Sequence, residues 1–600
     1  MAPPPMMGRG PGGGHRGRGA EKPKDLKNTV KRLLLYVKPD FVKVIIALIC
    51  VLINSGAALL GSYLLRPIIN NLTGGKSSAG VFFSLLGVMV IVYALGVIAS
   101  YTQGRIMIGV SQGALERIRK DMFSKMQSLP VRFFDTNRTG DIMSRYTNDV
   151  DSINEMLNHT IINMISGIVT VVGTFCIMLF TNIYLTIVTI VMLPLFVKVG
   201  TGIAKSSRKL FSEQQAALGR MNGYIEESIT GQNVVKVFCR EKIINREFSK
   251  LNTDYKNKQI KAQFRGSMMG PIMGNLGHLN YGITALVGSL LCIFKDFDIG
   301  GLTIFINFSR QFSRPINEFS MQLTNIMSAV AGAERVFKLM DEEPETEDSE
   351  KSEDINIRGE VEGKNITFGY VPEKTILKNV SFRCSPGQKV AFVGSTGAGK
   401  TTIINLLTRF YDVDEGEILI DGRNIKDIKR ATLRKNIAMV LQETHLFTGT
   451  IMENIRYGRL DATDDEVIAA AKTAHADSFI KYLPKKYDTV IESDGSNLSQ
   501  GQRQLINIAR AALSKAPVLI LDEATSSVDT RTEQNINRGM DGLMENRTTF
   551  VIAHRLSTIK NSDCIMVLEN GIVVESGKHE ELLQKGGRYY ELYTGLKEMD

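Results

Sequence analysis

At 600 residues the chain exceeds one ordinary domain, and its 44% hydrophobic and 22% charged residues suit a large soluble enzyme or a membrane protein with a soluble part. The formal net charge of +10 points to an anionic partner or to basic loops gathered on one side of a membrane. Six cysteines (Cys50, Cys176, Cys239, Cys292, Cys384, Cys564) without CxxC, and seven histidines without HExxH, argue against a disulfide framework or structural metal site.

Residues 1–27 form a basic Gly/Pro-rich tail with too little apolar surface to order itself. Long apolar runs follow. Val44–Leu65 and Ser77–Gly104 are each about long enough to span a bilayer as a helix. Met156–Val197 carries no Asp, Glu, Lys or Arg and is too long for one span. The polar break "FTNIYL" at 180–185 divides it into two helices with a tight turn. Gly266–Phe294 is a fifth span. Ile299–Asn325 is a sixth and weaker one, with Arg310, Arg314 and Glu318 late in the segment, and is expected to face water on one side. The loops 66–76 and 295–298 hold few basic residues, whereas 105–155 and 198–265 are dense in Lys and Arg. Those basic segments belong in the cytoplasm, together with both termini, and read as helical extensions past the membrane. The expected organisation is a membrane domain over 28–339, a solvated acidic linker over 340–355 ("DEEPETEDSEKSED" at 341–354), and a cytoplasmic domain over 356–600. In that last part, β-branched runs such as "KVAFVG", "PVLILD" and "TTFVIAH" alternate with helical patterns, which implies a parallel α/β sheet covered on both faces.

"GSTGAGKT" at 394–401 fits G-x-x-x-x-G-K-[ST] between a predicted strand and a predicted helix. Its glycines let backbone amides turn inward around phosphate oxygens, Lys400 sets an ammonium beside them, and Thr401 offers a hydroxyl to Mg²⁺. The helix N-terminus adds partial positive charge. "VLILDE" ends in Asp522, suited to Mg²⁺, and Glu523, suited to polarising a water. "TTFVIAH" ends in His554, a further candidate for the γ-phosphate or the water. In "NLSQGQRQ", Ser499 is a good N-cap, and Leu505, Ile508, Ala509 and Ala512 form the apolar stripe of the helix it opens. A hydroxyl, a glycine and free amides at a positive helix end suit an anion, though spacing alone does not say whose.

Taken in order, Tyr370 in "FGY", "GSTGAGKT", Gln442 in "MVLQET", "LSQGQ", "LILDE", "SSVD" and His554 resemble the ATP-binding cassette superfamily. Placed after six spans, they look like a half-transporter of the exporter type, over roughly residues 28–598. The fold so implied is an all-α membrane domain of six transmembrane helices with long cytoplasmic extensions, followed by an α/β P-loop (RecA-like) nucleotide-binding domain.

The resemblance also assigns roles. Tyr370 stacks on adenine. Gly394, Ser395, Thr396, Gly397, Ala398, Gly399, Lys400, Thr401 and Thr402 cradle ATP, while Thr401, Gln442 and Asp522 hold Mg²⁺. Glu523 is the catalytic base, His554 the switch histidine, and Gln442 also contacts the membrane part. Asp529 couples two sites, and Ser499, Gly501 and Gln502 reach a nucleotide held by a second half-transporter. Segments 129–141 and 229–238 look like coupling helices. One departure stands out: Gln500 replaces the first glycine of the family's LSGGQ. An altered signature beside an intact Glu523 resembles the catalytic-glutamate-bearing subunit of bacterial heterodimeric multidrug exporters, so a heterodimer is expected ahead of a homodimeric lipid flippase. The implied activity is ATP-driven export of drug-like or lipid amphiphiles across the cytoplasmic membrane, with membrane lipid as a partner and no nucleic acid. The rival reading is a membrane-anchored ATP-gated channel or regulatory ATPase.

Overall fold

The computed structural model describes residues 25–73, 78–295, 297–348, 352–442, 444–522, 530–552 and 559–595. The start of the basic tail (residues 1–24), Glu523, Asp529 and His554 lie outside the described residues. The chain forms two compact units. One takes in the described residues up to Leu129 together with Asn137–Glu343; the other joins Pro130–Thr136 to the described residues from Pro344 onward.

The first unit is helical. Its long helices are α1 (Phe41–Thr73), α2 (Ala79–Gln127), α3 (Ile161–Thr181), α4 (Ile183–Thr230), α5 (Met269–Phe294) and α6 (Ile299–Asp341). A further helix, Glu241–Ser267, leads into α5. Five helical stretches among the described residues are long and apolar enough to cross a membrane, and α1 to α5 lie in them. α6 is long enough at 43 residues but more polar. It completes the six membrane helices of the fold. The 49 residues of α2 rise about 73 Å at about 1.5 Å each, more than twice the ~30 Å of a hydrocarbon core. The excess forms the extensions that the basic segments predict.

The turn between α3 and α4 is a single residue. Asn182 caps α4, its side-chain oxygen accepting from the amides of Tyr184 and Leu185 at 3.0 and 3.1 Å. That is the ordinary chemistry of an Asn N-cap, and it explains why "FTNIYL" breaks an otherwise unbroken apolar run. The apolar face of α6, with Ile304, Phe305 and Phe308 fully buried, packs with Leu59, Met178 and Leu185 of α1, α3 and α4.

The second unit holds twelve described strands: β1 (Val361–Phe368), β2 (Leu377–Cys384), β3 (Lys389–Val393), β4 (Glu415–Ile420), β5 (Arg423–Asn424), β6 (Ile437–Val440), β7 (Gly449–Thr450), β8 (Val490–Ile491), β9 (Val518–Asp522), β10 (Thr548–Ile552), β11 (Cys564–Glu569) and β12 (Ile572–Gly577). The central sheet has the order β12-β11-β3-β10-β9-β6 and is parallel except at the β12 edge. Alternate residues feed opposite faces. Ala391, Val393, Leu519, Leu521 and Val551 enter one core, and Val390, Phe392, Val518, Ile520 and Phe550 enter the other. Both faces being buried is why these strands read as continuous apolar runs. β2-β1-β4-β5 form a separate antiparallel sheet.

The acidic stretch is largely exposed among the described residues, yet several of its carboxylates are held by partners. Glu345 receives two hydrogen bonds from Arg434, at 3.0 and 2.5 Å. Asp348 accepts from the Arg430 amide at 3.0 Å, and Asp354 pairs with Lys429 at 2.7 Å. Glu353 pairs with Arg423. Arg409 and Arg430 are largely buried, so nearby carboxylates are the means by which their charges are tolerated. The stretch is held by cations that arrive from elements about 60 to 90 residues away.

Candidate functional site at the strand ends

β3 ends at Val393, and the loop that follows feeds helix α7 (Lys400–Leu407). Two of its glycines are required by geometry. Gly394 has φ +155°, and a Cβ there would stand 2.2 Å from the Leu568 carbonyl oxygen. Gly399 has φ +104°, and its Cβ would meet Leu377 Cδ2 at 2.6 Å. Neither position accepts a side chain without backbone strain or a clash. Gly397 is also left-handed but opens onto free space. Within the loop, Thr396 and Gly397 are exposed, Ser395 is half-buried and Ala398 is buried.

Lys400 is 7% exposed, and its Nζ donates to the carbonyls of Gly394 at 2.5 Å and Ser395 at 3.1 Å. Burial lowers its pKa from the usual lysine value, and the Asp522 carboxylate opposes that shift. Asp522, at the end of β9 and paired in register with Ile552 of β10, therefore lies within electrostatic reach of the loop. Thr401 at the first turn of α7 is exposed. Gln442 is exposed two residues past β6, the neighbour of β9. The carboxyl ends of β3, β10, β9 and β6 thus stand side by side, the edge where α/β sheets bind ligands. A glycine-lined cradle with a buried ammonium fits a polyphosphate, and an exposed hydroxyl near a strand-end carboxylate fits a hard divalent cation.

Tyr370 is fixed by its neighbours. Its ring meets Phe368 and Tyr411 edge-on, at 5.1 and 5.0 Å between centroids. Its hydroxyl donates to Thr402 Oγ1 at 3.3 Å and accepts from Asn405 Nδ2 at 3.0 Å. Thr402 is buried and engaged in this grip. Asn405 and Tyr411 are site residues that sequence reasoning passed over. A signal existed for Asn405, three residues after Thr402 and so on the same helix face. None existed for Tyr411. Tyr411 also donates to Asp135 Oδ2 at 2.6 Å, which ties in the short helix Val131–Thr136, part of the first predicted coupling segment.

The signature stretch opens helix α8 (Gln500–Ser514). Ser499 Oγ accepts from the Gln502 amide at 3.3 Å, and the Ser499 amide donates to Gln502 Oε1 at 2.9 Å, a reciprocal capping box. Gly501 is buried and Gln500 exposed. Among the described residues, no hydrogen bond or ion pair joins Ser499, Gly501 or Gln502 to the phosphate loop; the side chains of Ser499 and Gln502 are spent on each other's backbone. The second predicted coupling segment contains helix Gln232–Val237 and leaves Ile229, Val234, Val237 and Phe238 exposed.

Two family descriptions match the chain: "ABC transporter transmembrane region" over residues 44–316 and "ABC transporter" over residues 377–526. The chain is 44% identical to the ABC transporter ATP-binding protein YfiC of Bacillus subtilis (strain 168), over 95% of each. It is 40% identical to a fatty acid ABC transporter ATP-binding/permease protein of Mycobacterium tuberculosis (strain CDC 1551 / Oshkosh), over 84% of this chain and 80% of that protein. An ATP-dependent lipid A-core flippase of Syntrophus aciditrophicus (strain SB) is 34% identical over 94% of each. Among solved structures, a bacterial Atm1-family ABC exporter with ATP bound superposes with a TM-score of 0.72 at 30% identity, over 93% of this chain and 98% of that one. The chain belongs to the ABC transporter family, as an exporter half-transporter that couples an ATPase domain to transport through its membrane helices.

Proposed function

We propose that the protein drives export of amphipathic small molecules or lipids across the cytoplasmic membrane by alternating access, with both termini and the nucleotide-binding domain in the cytoplasm. The observation that carries this reading is the alignment of strand ends. The phosphate loop after β3, Asp522 on β9 and Gln442 after β6 sit on one edge of the sheet of a chain that also carries six membrane helices. In this reading the loop amides and Lys400 bind the phosphates, and the ring of Tyr370 meets adenine. Thr401, Gln442 and Asp522 hold Mg²⁺, which when bound offsets phosphate charge. Glu523 takes the proton of the attacking water or orients it, His554 holds the γ-phosphate, and Asp529 links the two sites of a dimer. Ser499, Gly501 and Gln502 complete the partner's site. The exposed apolar residues around Gln232–Val237 support a partner surface there. The names of the relatives, a fatty acid transporter and a lipid A-core flippase, support an amphiphile as cargo.

The partner is proposed to be a different half-transporter. Gln500 is exposed at the head of α8, so its replacement of glycine asks nothing of this chain's own packing. Its consequence falls on the nucleotide opposite. The test of the catalytic assignment is Glu523→Gln. Turnover of the assembled transporter should fall by roughly 10²–10⁴-fold, the scale of a lost general base, with ATP binding retained. Near-normal hydrolysis in that variant overturns the assignment.

A further inference from the structure

We infer that Arg310 is the anchor for an anionic headgroup, so that the exported amphiphiles carry a carboxylate or a phosphate. This rests on the exporter reading above and narrows its substrate class. Arg310 lies on α6, twelve residues past Asp298. At about 1.5 Å per residue that is roughly 18 Å along the helix, about half of a ~30 Å hydrocarbon core. The apolar spans of α1 and α6 meet charge at that end in the ion pair of Arg66 and Asp298, 2.6 Å apart, which we take as the membrane boundary. The guanidinium carbon of Arg310 stands 4.7 Å from the ring centre of Tyr281 on α5. Tyr281 lies thirteen residues before Phe294, the end of α5, or roughly 20 Å in by the same rise. Both residues are therefore at mid-membrane depth.

Over residues 300–312 every residue is buried or half-buried except Arg310. Over this stretch, 300–312, α6 turns its aromatic face to the helix core and presents Arg310 on the other side. Directly behind the pair, Asn280 Nδ2 donates to Ser309 Oγ at 2.7 Å, and both residues are buried. That bond locks α5 to α6 at the level of Tyr281 and Arg310, so the guanidinium is presented on a rigid seat. Among the described residues the Arg310 guanidinium stacks on the Tyr281 ring and forms no ion pair. A cation–π contact is a modest partner for a charge at that depth, where charged side chains are costly and mark a substrate pathway. The planar fork of arginine matches a carboxylate or phosphate with two parallel hydrogen bonds.

The test uses the assembled transporter in proteoliposomes with three probes of one chain length: oleate, oleoyl lysophosphatidate and oleyl alcohol. ATPase stimulation and ATP-driven movement are measured for each. Either anion should act at a concentration about ten-fold or more below that of the alcohol, the scale of one charge-assisted contact. Which anion is stronger distinguishes carboxylate from phosphate. Arg310→Ala should erase that margin and Arg310→Lys should keep part of it. Equal response to all three probes in the wild type, or an unchanged margin in Arg310→Ala, overturns the anchor while leaving the exporter reading standing. A loss of response to the alcohol as large as that to the anions in both variants assigns Arg310 to packing or to the partner chain and overturns it too. If no amphiphile moves in an ATP-dependent way in the wild type, the exporter reading falls, and this inference with it.

Discussion

Lys400 shows how one residue is prepared for its ligand at a cost to the protein alone. Burial disfavours its ammonium, and two backbone carbonyls with a distant carboxylate only partly compensate. On the proposed reading, a bound phosphate completes the compensation. Lys400→Ala should therefore weaken ATP binding about 10- to 100-fold, the worth of one or two charge-assisted hydrogen bonds. Thermal stability should drop by no more than about 1 kcal/mol, because a buried charge is removed with the contact. Nucleotide titration and thermal unfolding of the same preparation check both. The loop was legible in the sequence because its chemistry is local: strand, glycines, lysine and helix are contiguous. Ser499 was legible as a cap for the same reason. Its reciprocal partner Gln502 sits three residues on, the spacing of a capping box. The grip of Thr402, Asn405 and Tyr411 on Tyr370 was only half legible, since Tyr411 reaches the site through the fold of the antiparallel sheet and not through spacing.

Among elements, the acidic stretch after α6 has partners that no local sequence pattern shows. A run of Asp and Glu reads as solvated, and the arginines that hold it are 60 to 90 positions downstream, beyond any local pattern. Partial burial alone would raise the Glu345 pKa. The hydrogen bonds from Arg434, with the charges of Arg430 and Arg409, overcome that and hold it below the usual glutamate range. A carboxylate with a lowered pKa stabilises the fold above its unfolded value, about 4.3, and loses that contribution as pH falls through the folded value. Glu345→Gln should cost about 0.5–1 kcal/mol at neutral pH, a figure discounted for solvent screening. The difference from wild type should shrink below about pH 4. Unfolding midpoints of the two proteins across pH 3–8 measure this, and a difference that grows on acidification contradicts it. The membrane helices, by contrast, are legible from charge-free length, and Arg310, Arg314 and Glu318 make the sixth weaker in the sequence, in keeping with α6 lying outside the five apolar stretches.

At the scale of the whole molecule, a second chain completes the proposed site. Ser499, Gly501 and Gln502 face no nucleotide loop of their own among the described residues, and the Gln232–Val237 segment leaves apolar side chains exposed. Gln500 makes a different half-transporter the expected partner. Purified alone, this chain should hydrolyse ATP at least about ten-fold more slowly than the pair obtained by co-expression with a half-transporter bearing an intact signature, a gap of about 1.4 kcal/mol in the barrier. A fully active dimer of this chain contradicts the heterodimer. The central claim is that hydrolysis at Glu523 drives cargo through the membrane helices. Its most direct measurement is ATP-dependent uptake of a fluorescent fatty acid into inside-out vesicles carrying the assembled transporter. Sustained uptake in the wild type with none in Glu523→Gln is the predicted result; equal uptake in the two, or flux down a gradient without hydrolysis, contradicts it.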